Sequence, residues 1–169
     1  MGNRPLLPEA KTFIEQHRLS NVSLLGQCTA QEVIRLIKDA SCVLVPSEWY
    51  EGYLLISAEA FACGVPVITS RLEAMAEIVA DGMTGLHHTP GDADDLAAKV
   101  QWAWANTERL DLMEAHARQV YEREYSAERN YTRLMQIYDM AREVHTTHAA
   151  RKLARLRSCG AEIQLPQEI

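Results

Sequence analysis

Two glutamates in the stretch formed by residues 46–70 carry most of the chemistry that this chain can offer. Glu51 and Glu59 are eight positions apart. A carboxylate is a strong hydrogen-bond acceptor that can bind both hydroxyls of a diol, so two carboxylates can hold the two ends of one ligand. Free amides at the start of a helix between them would suit an anionic group in the middle. These features fit the sugar hydroxyls, the diphosphate and the ribose diol of a nucleotide sugar.

Spacing alone does not decide what the two acids do. Glutamates eight positions apart are common by chance, and on spacing alone the favoured interpretation is a loop acid at Glu51 and a polar helix position at Glu59. If the helix starts near Leu54, Glu59 lies in its second turn, and a rise of about 1.5 Å per residue places it several ångströms further along. In the binding interpretation, Glu51 contacts the sugar and Glu59 contacts the ribose.

The elements around these acids form a strand, a loop, a helix and a second strand. Residues 42–45 are an apolar strand, a turn follows through Gly52, a helical run stops at Gly64, and residues 67–69 are β-branched. Such a unit is typical of parallel sheets, which bind ligands in a crevice at the carboxyl ends of their strands. Because Gly52 has no Cβ, it lets the backbone approach a ligand closely.

Apolar runs and amphipathic runs alternate along the rest of the chain, which predicts an α/β fold with a parallel sheet. We predict a short buried strand over residues 22–25 and a brief strand over residues 85–88. The predicted helices cover residues 8–17, 71–79, 93–105 and 107–125, with further helices capped by Thr29 and Ser126. The inward face of the last helix is predicted to carry Tyr131, Leu134, Met135, Ile137 and Tyr138. A doubly wound sheet usually has about five or six strands, so we expect further elements before residue 1.

Composition excludes several classes of protein. The net charge of −6 argues against nucleic acid as the main partner, because phosphate backbones require concentrated Lys and Arg. Four cysteines, Cys28, Cys42, Cys63 and Cys159, are far apart and form no metal-ligand pattern, which predicts reduced thiols and no metal site. The chain shows neither the apolar core of a signal peptide nor a run of about 18 apolar residues. We therefore expect a soluble, cytoplasmic chain.

Residues 46–70 resemble the donor-site signature of the retaining, nucleotide-sugar-dependent glycosyltransferases of the GT-B class, called family 4 or the glycogen-synthase-like group. The signature has an acid, a glycine and an aromatic residue, then Glu-Ala-x-Ala-x-Gly-x-Pro-Val-Ile. The matching residues are Glu51, Gly52, Tyr53, Glu59, Ala60, Ala62, Gly64, Pro66, Val67 and Ile68. Similar segments are RPLLPE at 4–9, NVSLLG at 21–26, EIVADGMTGL at 77–86 and PGDADDLAAKV at 90–100. The resemblance extends over residues 2–142.

The resemblance implies a Rossmann-like parallel sheet that forms the C-terminal half of a GT-B fold over residues 1–142. A basic helical or frayed tail follows over residues 143–169. It also implies transfer of a sugar with retention of configuration, without a metal or another cofactor. Glu51 would be the catalytic residue that contacts the donor sugar, and Glu59 would bind the ribose hydroxyls. The backbone of Gly52, Tyr53, Leu54 and Leu55 would approach the diphosphate, and Gly26, Gln27 and Cys28 would lie against the base.

The chain departs from the family pattern in three places. Leu54 replaces a common glycine, and Glu73 and Ala74 replace a Gly-Gly pair. An acid near a phosphate is unfavourable, so we expect the loop of Glu73 to point elsewhere or to bind less tightly. Members of the family carry an N-terminal acceptor domain, and an Arg and a Lys early in their C-terminal domain neutralise the diphosphate. We expect this chain to lack both. We therefore expect a truncated donor domain that is inactive alone, because transfer needs donor and acceptor in one cleft.

Other candidate sites are weaker. The acids Asp92, Asp94 and Asp95 resemble a metal cluster, but a helix start explains them better. We expect His87 and His88 to be partly exposed loop residues, and Trp102 and Trp104 to pack within their helix bundle. The basic residues of the tail are Arg151, Lys152, Arg155 and Arg157, with Leu153 and Leu156 between them.

Three alternatives stay open at this point. For the tail, a solvated terminus is favoured over a membrane-surface helix. For the function, the main alternative is a noncatalytic nucleotide-binding or interaction module that keeps the crevice but does not transfer a sugar. An epimerase acting on nucleotide sugars would need a catalytic base that the sequence does not identify.

Overall fold

The computed structural model describes residues 6–48 and 55–158, with side chains as far as residue 145. Glu51, Gly52, Tyr53 and Leu54 therefore lie outside the described residues. The helices are α1 (Leu7–Gln16), α2 (Ala30–Lys38), α3 (Leu55–Ala62), α4 (Glu73–Ile78), α5 (Ala93–Ala105), α6 (Thr107–Val120) and α7 (Ala127–Ser158). A π-helical turn, Tyr121–Tyr125, joins α6 to α7, and the strands are β1 (Val43–Val45), β2 (Val67–Ser70) and β3 (Gly85–His88).

The three strands form one parallel sheet in the order β1-β2-β3. Val43 pairs with Val67, and Val67 pairs with Gly85. Since the strands are parallel, their carboxyl ends at Val45, Ser70 and His88 lie along one edge. The structure confirms the predicted α/β fold with a parallel sheet flanked by helices.

Helices cover both faces of the sheet, and β2 is its buried centre. Val67 packs in a cluster with Ile37 of α2 and Phe61 of α3. Its neighbour Ile68 points to the opposite face and packs with Met113 of α6. Alternate residues of one strand point to opposite faces, so this division shows a core in two layers.

Capping residues in the sequence predicted two helix starts correctly. Thr29 accepts a hydrogen bond from Glu32 N at 3.3 Å, and the Glu32 carboxylate accepts one from Thr29 N at 2.7 Å. This reciprocal pair is the predicted capping box of α2. Ser126 accepts a hydrogen bond from Arg129 N at 3.3 Å, as expected for the cap of α7.

The strand predicted over residues 22–25 is wrong. These residues have no regular secondary structure, and Val22 and Leu25 are 43% and 60% exposed. A strand is stable only when its backbone pairs with a neighbour. β1 pairs with β2 along one edge, and residues 22–25 do not pair with its other edge.

The predicted inward face of α7 is also wrong. Tyr131, Leu134, Met135, Ile137 and Tyr138 are all exposed, over a range from 40% to 65%. A period of 3.6 residues identifies an apolar side of a helix but not what covers it. The packing predicted for Trp104 of α5 is wrong as well, because Trp104 is 84% exposed, whereas Trp102 is 37% exposed and therefore partly covered. No helix in the described part of the chain combines the length and apolarity needed to cross a bilayer.

Candidate functional site

The loops at the carboxyl ends of the strands form a rim that hydrogen bonds hold together. The Thr69 hydroxyl donates to the Val45 carbonyl at 3.2 Å, which ties the end of β2 to β1. Arg71 N donates to the His88 carbonyl at 2.8 Å, which ties the loop after β2 to the end of β3. A crevice at this edge is where open parallel sheets bind ligands.

Glu59 lies on the exposed side of α3, the helix that follows the first loop of this rim. The buried face of α3 consists of Ser57, Ala60 and Phe61. Leu55 is 67% exposed, and Glu59, four residues further on, is exposed on the same side. The Glu59 carboxylate is therefore accessible to a ligand, as the binding interpretation requires. Its distance from Glu51 stays untested, because Glu51 lies outside the described residues.

The loop expected to contact a base lies just before α2. Gly26 has φ +72° and is exposed, Gln27 is exposed, and Cys28 is half-buried. The Cys28 thiol lies 3.9 Å from the Leu25 carbonyl oxygen. Since residues 22–25 are not a strand, these residues lie on the surface rather than at a strand end. Their contact with a base stays a prediction.

The prediction that His87 and His88 are partly exposed loop residues is wrong. Both belong to β3, and they are only 9% and 3% exposed. His87 Nε2 donates to the Val79 carbonyl at 2.8 Å. Their positions on a strand packed between two helix layers explain their burial, because each face of the sheet is covered.

Ser70 and His88 form a buried polar pair that sequence reasoning missed. His88 Nδ1 lies 2.9 Å from the Thr89 carbonyl, which only accepts, so this nitrogen carries the hydrogen. In the neutral ring, Nε2 then accepts from the Ser70 hydroxyl at 3.3 Å. The two residues are direct partners in the β2–β3 register and the last residues of their strands. Sequence spacing does not define this register, so the sequence alone carries no signal for the pair.

His88 also lines a small cavity of about 130 Å³ at the rim, together with Pro46, Glu48 and Asp92. Ser70 is fully buried, so the pair presents no accessible nucleophile. Its effect is to hold the ends of β2 and β3 side by side under the crevice.

The acidic residues lie at the start of α5, as predicted, with Asp92 as the N-cap and Asp94 and Asp95 in the first turn. Asp92 Oδ1 accepts from Asp94 N at 3.0 Å and from Asp95 N at 2.9 Å. The Asp95 carboxylate accepts from Thr89 N at 2.7 Å, and this bond holds the pKa of Asp95 below its usual value. Within residues 6–48 and 55–145, no group of three or more His, Cys, Asp or Glu side chains is placed to bind a metal ion.

Glu73, which departs from the Gly-Gly pair of the family signature, lies beside the rim. Glu73 is the first residue of α4 and is exposed, where an acid complements the helix dipole. The prediction that its loop points away from a phosphate stays untested.

Comparison with known proteins identifies the family of this chain. Residues 1–120 match the family model described as glycosyl transferases group 1. An uncharacterized glycosyltransferase of Methanocaldococcus jannaschii is 33% identical over 100 residues, which are 59% of this chain and 28% of that protein. The chain thus spans less than a third of the length of this relative.

Solved structures share the fold. Sucrose-phosphate synthase from Thermosynechococcus elongatus superposes with a TM-score of 0.73 at 25% identity, over 81% of this chain and 34% of that one. The Anabaena protein HepE, solved in complex with UDP-glucose, superposes with a TM-score of 0.75 at 20% identity, over 83% and 38%. The second likeness concerns the fold alone.

Proposed function

Because the chain belongs to the group 1 glycosyl transferases, we propose that it binds a nucleotide-diphosphate sugar in the crevice at the carboxyl ends of its strands. It would act as the donor domain of a retaining transferase of family 4. The observation that carries this proposal is the exposed Glu59 carboxylate on α3, directly after the crevice loop. The likeness to a protein solved with UDP-glucose supports this class of donor.

The fold around the proposed site is shared with the solved structures described above. A parallel sheet flanked by helices, followed by a helical C-terminal region, matches one half of a GT-B fold, as predicted from the sequence. Residues 1–142 would form the donor domain and residues 143–169 its tail. α7 runs across residue 142 without a break, so the two parts would share one helix.

Each end of the donor would bind to its own glutamate carboxylate. Glu59 would accept hydrogen bonds from the ribose hydroxyls, and Glu51 would contact the transferred sugar. The amides of Gly52, Tyr53, Leu54 and Leu55 would hold the diphosphate at the amino end of α3. Gly26, Gln27 and Cys28 would lie against the base.

Catalysis would rest on electrostatic stabilisation of the leaving diphosphate. Fixed backbone amides aimed at a developing negative charge lower the barrier most when water is excluded. The donor would therefore react without a metal ion or another cofactor.

Transfer also requires an acceptor, and we propose that a second domain supplies it. The chain covers only 34% to 38% of the two solved structures it resembles. The exposed apolar side of α7, with Leu134 and Tyr138, supports a further partner surface in the complete enzyme. Closing two domains over the donor would exclude water and orient the acceptor.

We place the enzyme in the cytoplasm. Cys28, Cys42 and Cys63 are free thiols and half-buried, which suits a reducing compartment. Membrane association of the tail is not part of this proposal, and nucleic acid is not a proposed partner.

Calorimetric titration with UDP-, GDP- and ADP-glucose tests the proposal. We expect one of them to bind, and Glu59→Ala to weaken that binding about tenfold, because one charge-assisted pair of hydrogen bonds is lost. Glu108→Ala is the matched control, since Glu108 is an exposed glutamate on α6. Binding that both variants weaken equally would contradict the role of Glu59. If none of the three bound, the noncatalytic module would be the better description.

A further inference from the structure

We propose that a second cavity, at the opposite edge of the sheet, binds a small amphiphilic anion. This cavity has a volume of about 410 Å³ and lies where β3 begins, between α5 and α6. Leu86 at the start of β3, Trp102 on α5 and Met113 on α6 line it. The proposed donor crevice lies beyond the carboxyl ends of the strands, so the two sites are separate.

The floor and one wall of the cavity are apolar. Leu86 and Met113 are 8% and 2% exposed, so the core itself forms the floor. Trp102 is 37% exposed, in contrast to the 84% of Trp104 on the same helix. A partly buried aromatic wall over an aliphatic floor suits a flat apolar group.

Two cationic side chains, Lys99 and Arg109, lie at the polar side of the same cavity. Lys99 Nζ lies 3.9 Å from Asp95 Oδ1, at the limit of an ion pair. The Arg109 guanidinium has no hydrogen bond or ion pair with any side chain among the described residues. A free guanidinium offers five donors in a fixed fork that matches phosphate or carboxylate.

One carboxylate also lines the cavity, and part of its acceptor capacity is already used. Asp81 Oδ1 accepts a hydrogen bond from His87 N at 2.9 Å. Lys99 and Arg109 against Asp81 give the lining residues one excess positive charge, and because Asp95 lies beside Lys99, the cation left without a carboxylate partner is Arg109. An unpaired guanidinium in the lining favours an anion over a cation.

A ligand of this class has an aromatic ring for Trp102 and a phosphate or carboxylate for Arg109 and Lys99. A suitable probe is 2-naphthyl phosphate, with 2-naphthol and inorganic phosphate as its separated halves. Titration of the ¹⁵N-labelled 169-residue chain, followed by indole N–H resonances assigned with Trp102→Phe and Trp104→Phe, gives a local readout. We expect the probe to shift the Trp102 resonance more than the Trp104 resonance, and each half to bind more weakly than the whole.

The charge requirement is tested by a pair of arginine variants. Arg109→Gln should weaken the probe about tenfold, a typical loss for one charge-assisted contact. Arg142→Gln removes the same charge from an exposed position on α7 and should leave the affinity unchanged. The Trp102 resonance reports on this cavity and not on the donor crevice, so the result does not depend on the proposed function. A Trp102 resonance that does not move, or equal losses in both arginine variants, would overturn the proposal.

Discussion

Replacing Gly85 by alanine should disrupt the pairing of β2 with β3, although the backbone of Gly85 needs no special conformation. A Cβ built on Gly85 would lie 1.9 Å from the Val67 carbonyl oxygen and 2.8 Å from Val79 Cγ1. The first distance is about 1.5 Å shorter than an ordinary contact of 3.4 Å. Because the obstacle is backbone in the central strand, a side-chain rotation cannot relieve it.

The cost follows from this overlap. Overpacking of a dense core costs typically 1–3 kcal/mol, and a clash with backbone belongs at the upper end, at about 3 kcal/mol. For a domain of this size each kcal/mol lowers the melting temperature by roughly 2–4 °C. We expect Gly85→Ala to melt roughly 6–12 °C below the unchanged chain.

Gly82→Ala is the informative comparison. Gly82 has φ +74°, a conformation that glycine favours, but a Cβ there would meet nothing within 4 Å. A left-handed conformation costs a side chain about 1 kcal/mol, so Gly82→Ala should lose roughly 2–4 °C. Thermal unfolding followed by circular dichroism measures both. A loss for Gly82→Ala that equals or exceeds that for Gly85→Ala would refute this reasoning.

Three further predictions concern single groups. Thr29→Ala removes the capping box with Glu32 and should destabilise the chain by about 1 kcal/mol, measured by urea unfolding. Burial raises the pKa of the Cys42 thiol, so at about pH 8.5 iodoacetamide should label Cys42 more slowly in the folded chain than in the chain unfolded by urea, as mass spectrometry would show, and the difference should narrow as the pH rises. The hydrogen bonds from Thr89 lower the pKa of Asp95, so its carboxylate stabilises the fold above the unfolded value of about 3.9 and this contribution is lost as the pH falls below it. The difference in melting temperature between Asp95→Asn and the unchanged chain should therefore be present at neutral pH and shrink in acid.

Elements defined by local chemistry could be predicted from the sequence. The caps at Thr29 and Ser126 depend on residues three positions away, and both are present in the structure. The acids at the start of α5 were recognised as residues of a helix start, where they complement the helix dipole. The exposure of Glu59 follows from the apolar pattern of α3 around it.

Features that depend on distant partners could not be predicted in this way. Residues 22–25 have the composition of a strand, but nothing local determines whether a neighbouring strand pairs with them. The pair of Ser70 and His88 depends on the β2–β3 register, which sequence spacing does not define. The exposed side of α7 shows the same limit, because amphipathicity identifies a face without its partner.

The central claim is that Glu59 binds the ribose of a nucleotide sugar, and a thermodynamic cycle tests it most directly. The affinities of UDP-glucose and its 2′,3′-dideoxy analogue would be measured by calorimetry on the unchanged chain and on Glu59→Ala. We predict that removing the two hydroxyls weakens binding about tenfold in the unchanged chain and leaves it nearly the same in Glu59→Ala, because their acceptor is already gone. Equal losses in both chains would show that Glu59 does not contact the ribose.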